Sequence, residues 1–290
     1  MTESTCLNMP MVTSPEFWRN YAESCAGKGP SRAFHGQNWD KAAETYDDLE
    51  TCHDYQNQLD TVISTLLEKG ALDRENSVLD VGCGTGTYAV RMSQLVKEVM
   101  CLDFSEAMLG QLKAKIASSG ISNVTAILTD WRAYEPDRQF DLVFCSMTPL
   151  LRHMQNVDKL LGCSRRFVAI ISWAGVKSNP LFEAVYKEIF GKKDENPCMD
   201  ILPLFNYLYT KGFAPDMHFF NACWERTRGV DRQVEAMLWQ FELKRELGDA
   251  EKRLVRQMVE AQARDGLITV KTRVRLAFLM IDKEMARKPC

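Results

Sequence analysis

The run Val78-Leu79-Asp80-Val81-Gly82-Cys83-Gly84-Thr85-Gly86 sets one carboxylate inside an apolar stretch and then places glycine at every second position. The apolar part reads as a buried strand. The glycines read as a turn so tight that side chains would obstruct either the turn or whatever lies against it. A helix from about Thr87 through Leu95 follows and aims its free N–H groups back at the same spot. Strand, turn and helix start together suit a nucleotide. The spacing is G-x-G-x-G, with Thr87 where a dinucleotide fingerprint would carry its last glycine, and no Gly-Lys-Ser/Thr closes it as a phosphate loop would require. Asp80 would repel a phosphate at the mouth of the turn and would suit an ammonium group.

Three further stretches follow downstream: Val99-Met100-Cys101-Leu102-Asp103, a strand-like run ending in an acid, then Leu128-Thr129-Asp130-Trp131, then the strand-like Phe140-Asp141-Leu142-Val143-Phe144-Cys145-Ser146. Taken in order over residues 78 to 148, these stretches resemble the four motifs of the class I S-adenosylmethionine-dependent methyltransferases. The resemblance implies that Asp80, Gly82, Cys83, Gly84 and Gly86 form the cofactor turn. It implies that Asp103 takes both ribose hydroxyls, since a carboxylate offers two acceptor oxygens to two vicinal donors. Phe104 and Met108 follow Asp103 as further cofactor positions. Asp130 would meet the adenine amino group beside Trp131, and Ser146 would face the transferring methyl. The cofactor implied is S-adenosyl-L-methionine, and no metal is implied.

The elements that must position these residues are legible from periodicity. Residues 1 to 37 hold Pro10, Pro15, Gly27, Gly29 and Pro30 and are expected to be irregular or in short helices, with aromatics Phe17, Trp18, Tyr21 and Phe34 covering either the cofactor mouth or an edge of the core. Asn38 to Asp47 reads as one helix capped by Asn38, with Trp39, Ala42, Ala43 and Tyr46 on one face. A similar helix in many small-molecule methyltransferases brings its tyrosine near the sulfonium, which makes Tyr46 a candidate. Leu59 to Leu67 follows the helical period and Gly70 ends it. Ser105 caps a helix over Glu106 to about Ala117. Strands are expected at Val124–Leu128, Asp141–Cys145, Arg166–Trp173, Met217–Arg226 and Thr269–Ile281, the last antiparallel. Trp173 then lies at a strand's carboxyl end, where an acceptor pocket would be lined.

Helices at about Asn156–Leu161, Pro180–Phe190, Ile201–Lys211, Asp231–Glu246 and Ala250–Arg264 fill the intervals, with a charged loop at 191–197. The expected fold is therefore α/β: a Rossmann-like, doubly wound, seven-stranded sheet, mostly parallel with one antiparallel strand. An N-terminal helical cap (1–53) precedes a methyltransferase domain (54–290) carrying helical inserts at about 176–212 and 230–265.

Composition narrows the class of acceptor. A net charge of −3 with no basic run weighs against duplex or bulk RNA. No apolar run reaches membrane-spanning length and the first residues lack a secretory pattern, so the expectation is a cytoplasmic protein, monomer or homodimer, with a small-molecule substrate. The ten cysteines include no Cys-x-x-Cys pair and read as reduced thiols. Scattered cysteines bind a metalloid in arsenite methyltransferases, but no spacing here supports that. The loop Met147-Thr148-Pro149-Leu150-Leu151-Arg152-His153 lacks both the Asn/Asp-Pro-Pro-Tyr motif and a Pro-Cys pair, which disfavours amide, base-amine and cytosine-C5 chemistry.

Should the acceptor arrive protonated, His153 is the first candidate base and His35 the second. Tyr46, Trp131 and Trp173 offer aromatic faces to a sulfonium or to the pocket wall. The alternatives are a methyltransferase acting on RNA or protein, a non-catalytic S-adenosylmethionine-binding protein and, disfavoured by Asp80 and Thr87, a nicotinamide oxidoreductase.

Overall fold

The computed structural model describes residues 13–26, 32–194 and 201–286. Gly27, Gly29, Pro30 and the end of the charged loop (195–197) lie outside the described residues, as do Cys6, Cys198 and Cys290. Helices α1 (Pro15–Ala26), α2 (Gly36–Asp40), α3 (Ala43–Tyr46) and α4 (His53–Glu68) precede β1 (Ser77–Val81). Then come α5 (Thr87–Ser93), β2 (Glu98–Asp103), α6 (Glu106–Ser118), β3 (Val124–Leu128), β4 (Phe140–Ser146), α7 (Met154–Cys163) and β5 (Ser164–Ser178). The chain finishes with α8 (Pro180–Phe190), α9 (Leu202–Thr210), β6 (Asp216–Gly229), α10 (Val230–Glu242), α11 (Asp249–Glu260) and β7 (Leu267–Asp282).

The seven strands form one sheet in the order β3-β2-β1-β4-β5-β7-β6, parallel except that β7 runs antiparallel to both β5 and β6. The expected seven-stranded, doubly wound sheet is thus the observed one. Strand β1 is buried along its whole length, as a central parallel strand covered on both faces must be. One face packs on α4, α5 and α6 through Leu59, Val62, Met92 and Leu112. The other packs on α7 and α9 through Val157, Leu160, Leu204 and Tyr207.

Strands β5, β6 and β7 run on past the parallel strands, further than the sequence pattern indicates. A bulge between Trp173 and Val176, where Gly175 takes a positive φ, bends β5 and lets pairing continue to Ser178. Trp173 is consequently inside a strand and not at its end. Along β7 the amino half alternates buried and exposed, while the carboxyl half is buried on both faces. The amino half belongs to this projecting ribbon, on which α8, α10 and α11 build a separate core around Phe182, Phe241, Val255 and Val270.

Local signals hold at several helix starts. Ser105 accepts from Met108 N at 3.2 Å, and Asn179 accepts from Phe182 N at 3.0 Å. Asn38 is not a cap. The expected single helix is two short ones, α2 and α3, and Asn38 Nδ2 donates to Arg32 O at 2.8 Å instead. The competing partner is the preceding 3-10 turn, which brings the chain in sideways and moves the helix start back to Gly36. That position must be glycine: a Cβ there would stand 2.0 Å from Phe104 O. The cap thereby lies directly on the backbone after β2, and Asp40 Oδ1 accepts from Ser105 Oγ (2.6 Å) and Ala107 N (3.1 Å).

Candidate active site

At the carboxyl ends of β1, β2, β4 and β5, two hollows meet. The larger is a cavity of about 740 Å³, within the usual range for ligand pockets. The smaller, about 40 Å³, lies beside Phe34, Asp103, Phe104, Asp130 and Trp131. Gly82 and Thr148 line both.

Asp80 is 2% exposed, lines the larger cavity, and has no hydrogen-bond or ion-pair partner among the described residues. Loss of water on burial, followed by the nearby Asp103 carboxylate, raises its carboxyl from the usual 3.8 to about 8. An unpaired buried carboxylate of this kind is a seat for a cation.

The three glycines of the turn serve different ends. At Gly86 (φ +80) a Cβ would fall 2.2 Å from Leu112 Cδ1, and at Gly82 (φ +71) it would fall 2.5 Å from Thr148 Cγ2. Protein packing explains both. At Gly84 (φ +55) the nearest atom is Tyr46 Cε1 at 3.8 Å, so the turn there is bare backbone under open space. Gly86 lines neither hollow and packs against Leu112 of α6.

Asp103 is 7% exposed and accepts from Gly84 N at 2.8 Å on one oxygen and from Ser105 N at 2.9 Å on the other. Burial raises its carboxyl, and the backbone donors at Ser105, Gly84 and Phe104 offset part of that rise. Each oxygen keeps a lone pair for a further donor. Tyr46, whose phenol burial pushes up to about 12, lies over Gly84 as a neutral hydroxyl. It is no base. Pinning the cap to the turn, Thr87 Oγ1 donates to Glu50 at 2.7 Å, Thr85 donates to Asp47, and Lys115 pairs with Asp47 (2.9 Å) and Glu50 (3.1 Å).

Asp130 lines the smaller hollow, where Arg132 engages its carboxylate with one contact at 2.5 Å and stacks over Phe34 at 5.6 Å. Trp131 stacks on Tyr134 at 6.0 Å and faces this hollow, away from the larger one. Ser146 and Met147 line the larger cavity at the end of β4. Met147 takes φ 57, held by its N–H to Ile171 O at 2.9 Å. A left-handed non-glycine residue costs about 1–2 kcal/mol, a strain that concentrates at functional positions.

Three expected positions line neither hollow. His153 lines neither hollow: it sits at the amino end of α7, its ring 5.6 Å from Phe34. His35 precedes α2 and also lines neither, because the 3-10 turn before it carries Phe34 inward in its place. Met108 is 2% exposed and packs with Ala42 and Ala43 under the cap. It supports the site without lining it.

A wall that sequence reading missed stands on β6. Trp224, Arg226 and Arg228 alternate along it and so face one side, the side of the larger cavity. Trp224 packs edge-on against Trp173 (6.0 Å) and Tyr55 (6.1 Å). The available signal was the Trp-x-Arg-x-Arg alternation itself. Over the cavity, Trp239 Nε1 donates to Asn38 O at 2.7 Å and Lys41 pairs with Glu242 at 2.9 Å, joining the cap to α10.

The cofactor implied by the sequence fits this donor set: a buried carboxylate awaiting a cation, a second carboxylate with spare lone pairs, and open backbone at Gly84. Comparison with known proteins agrees. Residues 78–169 match the family described as "Methyltransferase domain". An uncharacterized protein of Haemophilus influenzae is 28% identical over 158 residues, covering 53% of this chain and 57% of its own length. A malonyl-[acyl-carrier protein] O-methyltransferase of Ilyobacter polytropus is 27% identical over 142 residues, 48% of either chain. The chain spans about half the length of the curated relatives it matches. Among solved structures, the [4+2]-cyclase SpnF superposes with a TM-score of 0.55 at 16% identity, covering 88% of this chain and 97% of that one. That neighbour is a cyclase and only 16% identical, so the likeness carries the fold and no chemistry.

Proposed function

We propose that this chain, whose residues 78–169 match the family described as "Methyltransferase domain", transfers a methyl group from S-adenosylmethionine to a small-molecule acceptor seated between Ser146, Trp173 and Trp224. The observation that carries this reading is the orphaned carboxylate of Asp80 beside the open floor at Gly84. S-adenosylmethionine, when bound, supplies an electrophilic methyl on a sulfonium. Asp80 would hold its ammonium group and Asp103 its ribose hydroxyls, while Phe104, Asp130 and Trp131 would border the purine.

What the chain itself contributes is alignment and exclusion of water. Trp39 and Trp239, 5.4 Å apart, roof the cavity, and Met147 presents its side chain beside Ser146. Alignment of this kind is worth on the order of 7 kcal/mol or more. No histidine lines the cavity among the described residues, and burial holds Tyr46, Tyr55 and Tyr88 protonated. The acceptor would therefore bring its own free lone pair at neutral pH. The malonyl-carrier relative supports a small reacting group. Among the described residues no helix is long and apolar enough to cross a membrane, and the unpaired thiols of Cys52, Cys101, Cys145 and Cys163 support a reducing, cytoplasmic setting.

The test pairs calorimetric titration with S-adenosylmethionine and incubation of the chain with methyl-labelled cofactor and a metabolite extract. Binding accompanied by label in a small product is expected. Label appearing only in RNA or protein, or no binding at all, overturns the reading.

A further inference from the structure

The wall of β6 says more about the acceptor. Among the described residues, three buried nitrogen donors on that one strand face lack any hydrogen-bond partner: Trp224 Nε1, Arg226 Nε and Arg228 Nε. Trp224 and Arg228 are each 7% exposed. Buried polar groups are ordinarily satisfied, and a cluster of orphan donors costs free energy unless something accepts from them.

The charge around the cavity is one-sided. Arg228 has Asp48 at 3.6 Å, and Lys244 has Asp194 at 2.7 Å. Arg226 makes no ion pair or hydrogen bond among the described residues, and burial with Arg228 beside it lowers its guanidinium to about 10. Across from it Lys177, carried past the parallel strands by the extension of β5, lies over the rings of Trp173 (5.2 Å) and Phe182 (5.3 Å). The residue as a whole is exposed, while loss of water around its ammonium lowers its value. Among the described residues the carboxylates lining the cavity are Asp80 and Asp194; the first lies at the glycine turn and the second pairs with Lys244. Gln58 Oε1 is an orphan acceptor, but it lies beside Tyr88 and not on β6.

We propose that the acceptor is an oxyanion, a carboxylate or a phosphate, whose charged group is bound by Arg226 with Arg228 and Lys177, and whose body lies against Trp173 and Trp224. This rests on the methyl-transfer reading above and names its substrate class. A guanidinium fork satisfies two oxygens at once, so the oxygens of one such group can meet Arg226 and the neighbouring donors together. The aromatic faces bind a flat or apolar remainder.

The test splits a small-metabolite extract on an anion exchanger at pH 7 into retained and unretained pools, then incubates each with the full chain and methyl-labelled S-adenosylmethionine. Label is expected from the retained pool. Phosphatase treatment of that pool beforehand abolishes the label for a phosphate and leaves it for a carboxylate. With Arg226→Met, kcat/KM for the retained acceptor is expected to fall about 100-fold, the typical loss for truncating a buried charge partner. The loss should fall mainly on KM, with cofactor affinity unchanged and partial rescue in Arg226→Lys. Lys177→Met, at a more open position, gives a second reading in case Arg226→Met does not fold, with KM again expected to rise. Label only from the unretained pool, or unchanged KM in folded Arg226→Met, overturns this inference alone. Cofactor binding with label in neither pool overturns the methyl-transfer reading and this inference with it.

Discussion

Replacing Asp80 by asparagine is expected to stabilise the cofactor-free chain at neutral pH while loosening its grip on the cofactor. The Asp80 carboxyl rises from 3.8 to about 8 because burial strips it of water and Asp103 stands near, with no cation facing it among the described residues. The groups around it are Asp103, Tyr88 and the thiols of Cys83, Cys101 and Cys145. Folding at pH 7 then requires a proton that the unfolded chain does not carry. Roughly three pH units separate 3.8 from neutrality, and at about 1.36 kcal/mol per unit the cost is about 4 kcal/mol. Water entering the cavity reduces this, so the asparagine variant should gain about 2–4 kcal/mol at pH 7.

The sign follows from proton counting. Between pH 4 and 8 the folded state holds a proton that the unfolded state has lost, so wild-type stability falls as pH rises through that window, and the variant lacks this contribution. Urea denaturation at pH 5, 6, 7 and 8 should show the gap between the two proteins widening by about 1 kcal/mol per unit up to neutrality and flattening above pH 8. On the proposed reading the cofactor's ammonium group takes the proton's place at Asp80, so calorimetry in buffers of different ionisation enthalpy should register proton release by wild type at pH 6–7. The variant should bind S-adenosylmethionine about 30–100-fold more weakly, the worth of one charge-assisted hydrogen bond. A variant less stable than wild type at every pH, or a gap that ignores pH, would refute the reasoning.

Asp103→Ala removes the acceptor for Gly84 N and Ser105 N and, on the proposed reading, for the ribose; cofactor affinity should fall about 100-fold, and unchanged calorimetric affinity would contradict the assignment. Gly84→Ala and Gly86→Ala should separate. The first should cost about 1–2 kcal/mol of backbone strain and fold without binding cofactor, whereas the second adds a collision with Leu112 and should lose a further 1–3 kcal/mol or so, both read from thermal unfolding. Asp40→Ala cuts the cap from Ser105 and Ala107; a loss of about 1–2 kcal/mol is expected, with weaker cofactor binding, and unaltered binding would show that the cap does not help form the site.

The sequence by itself determined what depends on neighbours a few positions apart. The glycine turn after β1, the acid ending β2, and the caps Ser105 and Asn179 are set by local backbone geometry and side-chain reach, so each is readable in a short window. The sheet followed because buried parallel strands are apolar throughout and their connections are short of alternatives.

Tertiary structure alone decided which side chains share a cavity. Trp224-Glu225-Arg226-Thr227-Arg228 has the alternation of any edge strand, and only its pairing with β7 beyond the parallel strands turns both arginines toward the site. His153 and His35 looked apt by proximity in sequence, but a 3-10 turn and a helix start point their neighbours inward and leave them out. Gly82 and Gly86 likewise carry no mark distinguishing them from Gly84. The difference is Thr148 and Leu112, residues far along the chain that only folding brings within contact distance.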